Sequence, residues 1–395
     1  MTNWQEMDNK YFMQTMVRDP ITIVRGKGMR VWDDNDKEYL DFVNGLAVNC
    51  LGHCHPAVAD AVAEQSHILM QTSLWYYTLP RLQLGELLVE NSCLDKVFLC
   101  NSGTEANEGA VKLARRYGVL KLNGAYEVIT TNASFHGRSL AMTAASGQIK
   151  MHEPFEPMPV GFINVENNDI EAIKAATTDK TCAIMLEPLQ AEGGVNEPVG
   201  DFLKQVRDWC DSKGILLILD EVQTGIGRLG TLYGYQLYGI EPDIMTLAKG
   251  LGGGIPIGAL LAKEHASVFD MGDHNATFGG NAVTSAAAYA TLKYVLDNNV
   301  VENANKVGQY LIDGLKSLQS KYDFVTEVRG RGLLLAMEFD DAIAPEVVLK
   351  CLENGLIVNR LRPTAIRMIP PLIITNEDVD EALGILDGVL SGVGK

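Results

Sequence analysis

Short apolar runs recur through the middle of the chain, and polar residues or glycines follow each of them. Unbroken runs of this length are typical of strands buried on both faces of a parallel sheet, and amphipathic stretches between them predict helices that cover the sheet. The pattern therefore predicts an α/β fold with a large, mostly parallel sheet. Its strands are predicted at 96–100, 127–131, 182–186, 215–219, 242–248 and 257–262, and its helices at 56–70, 103–117, 201–212 and 282–297. Buried candidates of the first two helices are Ala57, Ala61 and Ile68, and then Ala106, Ala110, Leu113 and Ala114, which share one face.

The two ends of the chain follow other patterns. Residues 11–50 alternate turns with short strands, and from about residue 300 helices and short strands alternate in the manner of a separate α+β unit. Thr375 to Asp378 forms a helix-capping sequence before the last helix. We therefore expect a segment 1–55 that joins the small domain, a large domain over 56–298 and a small C-terminal α+β domain over 299–395.

Composition narrows the class of protein. The 395 residues carry a net charge of −17, which disfavours binding to nucleic acid or to an anionic membrane. The apolar runs are much shorter than a membrane span, and the first residues lack the pattern of a signal peptide, so the cytoplasm is the expected compartment. Seven scattered cysteines without a C-x-x-C pair indicate buried free thiols in a reducing environment.

Two of the predicted strands each end at a residue that could take part in catalysis. The run 215–219 ends at Asp220, and the run 242–248 ends at Lys249, which four glycines follow within five residues. A strand-end acid is costly to bury alone, so Asp220 needs a cationic or protonated partner; its alternative role is a helix cap. A strand-end lysine beside glycines suits an amine that forms an imine with a carbonyl compound. Together they match what pyridoxal phosphate requires.

Two further strand ends could contribute to such a site. Ser102, Gly103 and Thr104 open the helix after the first strand, where a hydroxyl, a glycine and a hydroxyl can hold a phosphate; the alternative is a plain N-cap. Phe135 and Arg138 follow the strand 127–131 and could cover a planar ring and bind a carboxylate. The residues alone also allow a core phenylalanine and a surface ion pair.

The sequences Asp220-Glu221-Val222-Gln223-Thr224-Gly225 and Ala248-Lys249-Gly250 resemble the class III aminotransferases, and most closely the N-acetylornithine aminotransferases. The similarity runs from about Tyr11 to the C-terminus. It implies fold type I of the pyridoxal-phosphate-dependent transferases, with a seven-stranded type of sheet in the large domain. It also implies a homodimer with shared active sites and small-molecule substrates.

The resemblance assigns a role to each candidate residue. Ser102, Gly103, Thr104 and the neighbouring subunit's Thr277 hold the phosphate of pyridoxal 5′-phosphate; Phe135 covers the ring, Asp220 keeps the ring nitrogen protonated, Gln223 donates to the phenolic oxygen, and Lys249 is the catalytic amine. Arg138 and Arg367 bind substrate carboxylates, and Glu192 neutralises Arg367 when no second carboxylate is present. Without the resemblance, Thr277 reads as a local cap, Gln223 as a surface residue and Arg367 as part of a structural salt bridge.

The implied reaction transfers the δ-amino group of N2-acetyl-L-ornithine to 2-oxoglutarate, as in arginine biosynthesis. Ornithine enzymes of this class hold a tyrosine where this chain has Gly45, which favours an acylated ornithine. Ala191, where the family commonly has glycine, and the loop around Trp75 depart from the family pattern. Other ω-aminotransferases, acting on succinylornithine, 4-aminobutyrate, acetyl-lysine or ornithine, and an aminomutase remain alternatives.

Two other motifs suggest different chemistry. Gly225 to Gly230 spells G-x-G-x-x-G, which would suit an NAD-dependent oxidoreductase, but four residues separate it from Asp220 and no amphipathic helix follows. His53 and His55 form an H-x-H pair beside a cysteine, but no further ligands stand at the spacing of a metal site. We therefore predict no metal, and a structural turn before the helix that begins at Pro56.

Overall fold

A computed structural model describes residues 4–393. Within them the strands, numbered in chain order, are β1 (Ile23–Lys27), β2 (Arg30–Asp33), β3 (Glu38–Asp41), β4 (Lys96–Cys100), β5 (Glu127–Thr131), β6 (Phe162–Val165), β7 (Thr181–Leu186), β8 (Leu216–Asp220), β9 (Ile244–Leu247), β10 (Gly258–Ala262), β11 (Val325–Arg331), β12 (Leu334–Phe339), β13 (Leu356–Ile357), β14 (Asn359–Arg362) and β15 (Ala365–Met368).

The helices of the described residues lie mostly between these strands. They are α1 (Trp4–Tyr11), α2 (Asn44–Ala47), α3 (Pro56–Ile68), α4 (Leu79–Glu90), α5 (Gly103–Lys121), α6 (Leu140–Ala145), α7 (Ile149–His152), α8 (Ile170–Ala176), α9 (Phe202–Lys213), α10 (Gly234–Leu237), α11 (Ala282–Asp297), α12 (Val300–Lys321), α13 (Ala344–Glu353) and α14 (Asn376–Leu390).

A seven-stranded sheet with the order β4-β10-β9-β8-β7-β5-β6 forms the centre of the fold. Every neighbouring pair is parallel except the two that involve β10, which runs antiparallel to β4 and β9. The prediction of a mostly parallel sheet is therefore confirmed. Because β10 alone is reversed, the carboxyl ends of β4, β5, β7, β8 and β9 meet at one edge, where ligands bind in open α/β sheets.

The middle of this sheet is buried on both faces, as its unbroken apolar runs predict. Every residue of β7, β8, β9 and β10 is buried. Helix α5 packs on one side of it with Ala106, Ala110, Leu113 and Ala114, the face predicted from its periodicity. Burial of each large aliphatic side chain contributes about 2 kcal/mol, so this layer fixes the strand ends firmly in place.

Two four-stranded sheets flank the large one. The first has the order β1-β2-β3-β13 and the second β11-β12-β15-β14. In the first sheet β13 pairs in parallel with β3, so a strand from the C-terminal part adjoins the N-terminal strands. Thr375 caps α14 in a capping box with Asp378, as the sequence predicts. The domain boundaries themselves stay a prediction.

Several details differ from the sequence prediction. A single strand is predicted over 331–338, but Gly332, with φ +54°, turns the chain there, so that Arg331 ends β11 and β12 begins only at Leu334. Ile68, expected in the core, is 69% exposed at the end of α3, and Val58 is the buried residue of that helix. The cysteines are free, as expected, but Cys54 is exposed and Cys93 only partly buried.

The G-x-G-x-x-G and H-x-H motifs have structural roles. Gly225 to Gly230 lies in a series of turns, and a helix begins only at Gly234, so the glycines do not open a helix as a dinucleotide cradle requires. His53 pairs with Asp41 at 2.7 Å, and His55 caps α3 by accepting from an amide of its first turn. Between residues 4 and 393 no His, Cys, Asp or Glu cluster could hold a metal ion, and no helix is long and apolar enough to cross a membrane.

Candidate active site

A cavity of about 340 Å³ opens at the carboxyl edge of the large sheet. Loops that follow β4, β5, β7, β8 and β9 form its walls, because those strands all end at this edge. Most of the residues singled out in the sequence line it, namely Ser102, Gly103, Thr104, Phe135, Glu192, Asp220, Gln223 and Lys249.

Asp220 ends β8 and is 3% exposed. Its Oδ2 accepts hydrogen bonds from Asn107 Nδ2 at 2.7 Å and from His136 Nδ1 at 2.8 Å, and its Oδ1 accepts from the Val222 amide at 3.0 Å. The predicted protonated partner is thus His136. Since an ionised carboxylate only accepts, the proton of this contact belongs on His136 Nδ1.

Asn107 fixes the position of that carboxylate from the first turns of α5. Its Nδ2 donates both to Asp220 and to the His136 carbonyl, and its Oδ1 accepts from Thr246 Oγ1 at 2.6 Å. Every side-chain polar atom of Asn107 is therefore used in one orientation. These donors hold the buried Asp220 carboxylate in one place, where it can pair with a cationic ring nitrogen.

Lys249 begins a 3₁₀ turn directly after β9 and has φ +44°. A left-handed conformation is uncommon for a residue with a side chain and is often found at functional sites. Burial lowers the pKa of the Lys249 ammonium; the Glu192 carboxylate opposes this shift, and Arg367 adds to it. The lowered pKa increases the fraction of neutral amine, the form that attacks carbonyl carbons and accepts protons.

The N-terminus of α5 provides an anion site beside these groups. Ser102 is its N-cap and accepts from the Glu105 amide at 3.2 Å, so the cap predicted as an alternative is also present. A Cβ at Gly103 would lie 2.8 Å from a methyl carbon of Val222, so the close packing of Val222 against this turn requires a glycine. Free amides of a 19-residue helix and its dipole favour a phosphate here.

Glu192, which lines the cavity, forms an ion pair with Arg367. Arg367 Nη1 lies 3.1 Å from Glu192 Oε1 and also donates to the Ala191 carbonyl, while Nε and Nη2 donate to Asn359. Burial alone would raise the pKa of Glu192, but the charges of Arg367 and Lys249 outweigh it and hold the pKa below its usual value. Lys249 Nζ is 4.0 Å from the same carboxylate oxygen.

Gln223 bridges this ion pair. Its Nε2 donates to Glu192 Oε1 at 3.0 Å, and its Oε1 accepts from Arg367 Nη1 at 3.3 Å. Its amide thus connects the ion pair to the centre of the cavity.

Three predicted residues lie outside the cavity lining. Arg367 contacts the lining residues Glu192 and Gln223 but does not line the cavity itself. Arg138 is exposed, with its guanidinium 5.5 Å from the centre of the Phe135 ring. Thr277 is exposed in a neighbouring depression that shares Asn101 with the cavity. Neither Arg138 nor Thr277 reaches the cavity of its own chain in this structure.

Sequence reasoning missed several residues of the site. Asn107, His136, Glu187 and Val222 all line the cavity. Asn107 lies three residues after Thr104 and His136 lies between Phe135 and Arg138, so a search near those candidates for partners of Asp220 would have found both. Glu187 follows the apolar run 182–186 as Asp220 follows the run 215–219, so the same strand-end signal could have found it. Val222 carries no such signal, because an isolated apolar residue in a loop reads as part of the core.

Comparison with known proteins agrees with this geometry. Residues 12–390 match the family model for class-III aminotransferases. An acetylornithine aminotransferase of Caldanaerobacter subterraneus subsp. tengcongensis is 51% identical over 387 residues, which cover 98% of both chains. Another from Methanocaldococcus jannaschii is 47% identical over 402 residues, which cover 100% of this chain and 99% of that relative.

Solved structures show the same fold. The ornithine aminotransferase from Toxoplasma gondii superposes with a TM-score of 0.95 at 35% identity, over 99% of this chain and 94% of that one. The acetylornithine aminotransferase from Elizabethkingia anophelis gives a TM-score of 0.88 at 33% identity, over 98% of each chain. The family model matches nearly the whole length of the chain, and the relatives share about half of its sequence. One cavity also brings together an amine, an acid and an anion-binding helix N-terminus. The chain therefore belongs to the class-III aminotransferases.

Proposed function

We propose that this aminotransferase moves the δ-amino group of N2-acetyl-L-ornithine to 2-oxoglutarate, which yields N-acetyl-L-glutamate 5-semialdehyde and L-glutamate. The observation that carries the proposal is the contact of Glu192 with the buried Arg367 beside Lys249. One site must accept a five-carbon dicarboxylate and also an amine far from its carboxylate. Arg367 suits both substrates, because Glu192 can neutralise it when no second carboxylate is bound and can move aside when one is. Relatives that are 43–51% identical carry the name acetylornithine aminotransferase.

Class-III aminotransferases use pyridoxal 5′-phosphate, and the cavity fits it. When bound, this cofactor supplies an aldehyde that takes up the amino group and a ring that delocalises an electron pair. The α5 N-terminus suits its phosphate, and Asp220 suits a protonated ring nitrogen. The residues proposed to hold the cofactor are Ser102, Gly103, Thr104, Phe135, Asp220, Gln223, Lys249 and the partner subunit's Thr277.

Each half-reaction requires a proton to move between carbon atoms. Lys249 Nζ is the proposed base, which would take the proton from the amine-bearing carbon of the substrate and, with pyridoxal 5′-phosphate bound, would hold it for its return. Its lowered pKa and its place in the cavity support this role. Asp220, held by Asn107 and His136, would supply the carboxylate that pairs with the ring nitrogen of the bound cofactor.

Arginines determine which carboxylates are bound. Arg367 would bind the carboxylate next to the reacting carbon of 2-oxoglutarate or glutamate in a two-pronged contact after Glu192 has moved aside. Arg138, which is exposed beside the lining residue Phe135, is proposed to bind the carboxylate of the acylated ornithine. Gly45 offers no hydroxyl to a free α-amino group, which supports the acylated substrate over ornithine.

The active enzyme is proposed to be a homodimer with shared sites. Thr277 lies outside its own cavity and is exposed, as expected for a residue that serves the neighbouring chain. Phe278 beside it is 63% exposed, and Trp75 is 85% exposed, which is typical of residues that a partner covers.

A panel of amine donors tests the proposed substrate. N2-acetyl-L-ornithine, N2-succinyl-L-ornithine, L-ornithine and 4-aminobutyrate are each incubated with 2-oxoglutarate, and glutamate formation is measured. We expect the highest kcat/KM with the acetylated donor. A higher value for free ornithine would favour the second candidate, an ornithine aminotransferase, to which the fold similarity of TM-score 0.95 also points.

A further inference from the structure

Glu187 is a buried acid that no part of the proposed reaction uses. It follows β7 directly, lines the cavity and is 9% exposed. Its two carboxylate oxygens accept from two different loops: Oε1 accepts from the Phe135 amide at 3.0 Å, and Oε2 accepts from the Ala191 amide at 3.0 Å. One side chain therefore joins the loop after β5 to the loop after β7.

The two amides belong to residues that matter for the site. Phe135 itself lines the cavity, and Ala191 precedes Glu192. The loop that carries Glu192 is closed at its base, because Gln190 and Asn196 exchange backbone hydrogen bonds at 2.9 and 3.0 Å. Inside that closed base, the Ala191 amide has Glu187 as its acceptor.

We propose that Glu187 is a positioning residue that couples the loop bearing Phe135 to the loop bearing Glu192. Because both oxygens are committed, neither loop can shift without losing a charge-assisted hydrogen bond or moving the other loop. The functional part of this inference rests on the proposed roles of Phe135 and Glu192; the coupling itself rests on the two hydrogen bonds alone.

The coupling depends on the charge of Glu187. A carboxylate accepts at both oxygens, whereas a protonated carboxyl group carries a donor on one of them and accepts less well there. The titratable groups that face Glu187 are His136, Asp220 and Lys249. Burial raises the pKa of Glu187 to about 7; His136 opposes this shift, and the Asp220 charge adds to it. Both hydrogen bonds are therefore complete above neutral pH and weaken as pH falls through about 7.

Hydrogen–deuterium exchange of the holoenzyme tests the coupling at the two amides themselves. After correction for the intrinsic effect of pH, peptides containing Phe135 and Ala191 in the wild-type protein exchange faster at pH 6 than at pH 8. In Glu187→Gln we expect both peptides to exchange about tenfold faster at pH 8 and to lose this pH dependence. The wild-type comparison needs no variant, so a poorly folding variant leaves the test intact.

Glu221→Gln is a matched control. Glu221 is also buried, with a pKa raised by burial to about 7, but it accepts from the Gly234 and Tyr235 amides instead. This variant should leave exchange at Phe135 and Ala191 unchanged. Unchanged exchange of both amides in Glu187→Gln, with no pH effect in the wild type, overturns the coupling.

Half-reaction kinetics separate the coupling from the proposed function. Loosening the Glu192 loop should change the ratio of the rates with glutamate and with N2-acetyl-L-ornithine by about fivefold or more, while Glu187→Asp, which keeps the charge, restores part of it. Faster exchange with an unchanged ratio supports the coupling and contradicts the role of Glu192. Unchanged exchange contradicts the coupling whatever the substrate is.

Discussion

Arg367 Nη1 lies 3.1 Å from Glu192 Oε1, and this ion pair joins β15 of a four-stranded sheet to a loop of the seven-stranded sheet. Arg367 is 1% exposed, so its charge has no access to bulk water. Removing one partner from a buried ion pair typically costs 3–5 kcal/mol, on the order of a thousandfold in an equilibrium. A substrate that displaces Glu192 must therefore bring a carboxylate of its own.

This relationship predicts opposite effects for the two partners. Arg367→Ala removes the cation that binds the second carboxylate of glutamate, so the glutamate half-reaction should slow by about 10²-fold or more, and the acetylornithine half-reaction far less. Glu192→Ala leaves Arg367 without its counter-charge and should raise reactivity with glutamate relative to acetylornithine. Stopped-flow absorbance of each half-reaction measures both effects. If both variants lowered the rates of both half-reactions equally, the ion pair of Glu192 and Arg367 would be only a structural salt bridge.

Lys249→Ala should lower turnover by at least about 10³-fold, because the neutral amine acts both as nucleophile and as base. Borohydride reduction followed by peptide mass spectrometry should place the cofactor on Lys249 in the wild-type protein. A cofactor-bearing peptide that contains another lysine would show that the catalytic amine is misassigned. Lys263→Ala is a suitable control, since Lys263 pairs with Glu241 at the surface.

Asp220→Asn keeps the shape of the side chain but removes the charge next to the ring nitrogen. We expect single-turnover proton transfer to slow by about 10²–10³-fold, the usual effect of removing one electrostatic partner of a transition state. Cofactor content should remain measurable, because the helix N-terminus still binds the phosphate. Near-normal single-turnover rates in this variant would exclude the proposed role of Asp220.

Thr277→Ala tests whether two chains share each site. If Thr277 serves the neighbouring chain, its loss should weaken cofactor retention by about tenfold without lowering the melting temperature of the cofactor-free protein. Mixing Lys249→Ala with Thr277→Ala subunits should then give heterodimers in which one site carries both lesions and the other carries neither. Activity should recover on mixing; confirmed heterodimers without recovery would contradict sharing.

Glu221 provides a prediction for the pH dependence of stability. Burial raises its pKa to about 7 in the folded chain, above the usual value near 4.5, despite donors from Thr224, Gly234 and Tyr235. The folded state therefore holds an extra proton between those pH values, and this group's contribution to the free energy of unfolding falls as pH rises through that window.

Glu221→Gln is neutral at every pH and removes that dependence. The variant loses a well-placed acceptor and should be less stable than the wild type at pH 5, but the difference should shrink by up to roughly 3 kcal/mol between pH 5 and pH 8. Urea unfolding of both proteins at the two pH values measures it. A difference that stays constant or grows with pH would show that Glu221 titrates near its usual value when folded.

The sequence by itself determined six of the seven strands of the large sheet, all but the partly buried edge strand β6, and what stands at several of their ends. Asp220 and Lys249 could be placed there because a fully apolar run fixes where a buried strand stops, and polar residues must begin at its solvent-facing edge. Ser102 and Gly103 were found in the same way, since helix starts have a local signature. These predictions depend on neighbours within a few residues, which the sequence shows directly.

Only the tertiary structure decided which of these residues meet. The contacts of Asp220 with Asn107 and His136, and of Glu187 with two loops, join elements that are distant in the chain and depend on how α5 and the loops pack over the sheet. The turn at Gly332 also escaped the sequence, because a glycine between Arg331 and Leu333 does not by itself reveal a left-handed φ. The sequence predicted the contact between Glu192 and Arg367 only through a family resemblance. Local hydrophobic periodicity specifies elements and their ends, whereas a pairing between side chains of different elements requires the relative positions that packing of the whole core establishes.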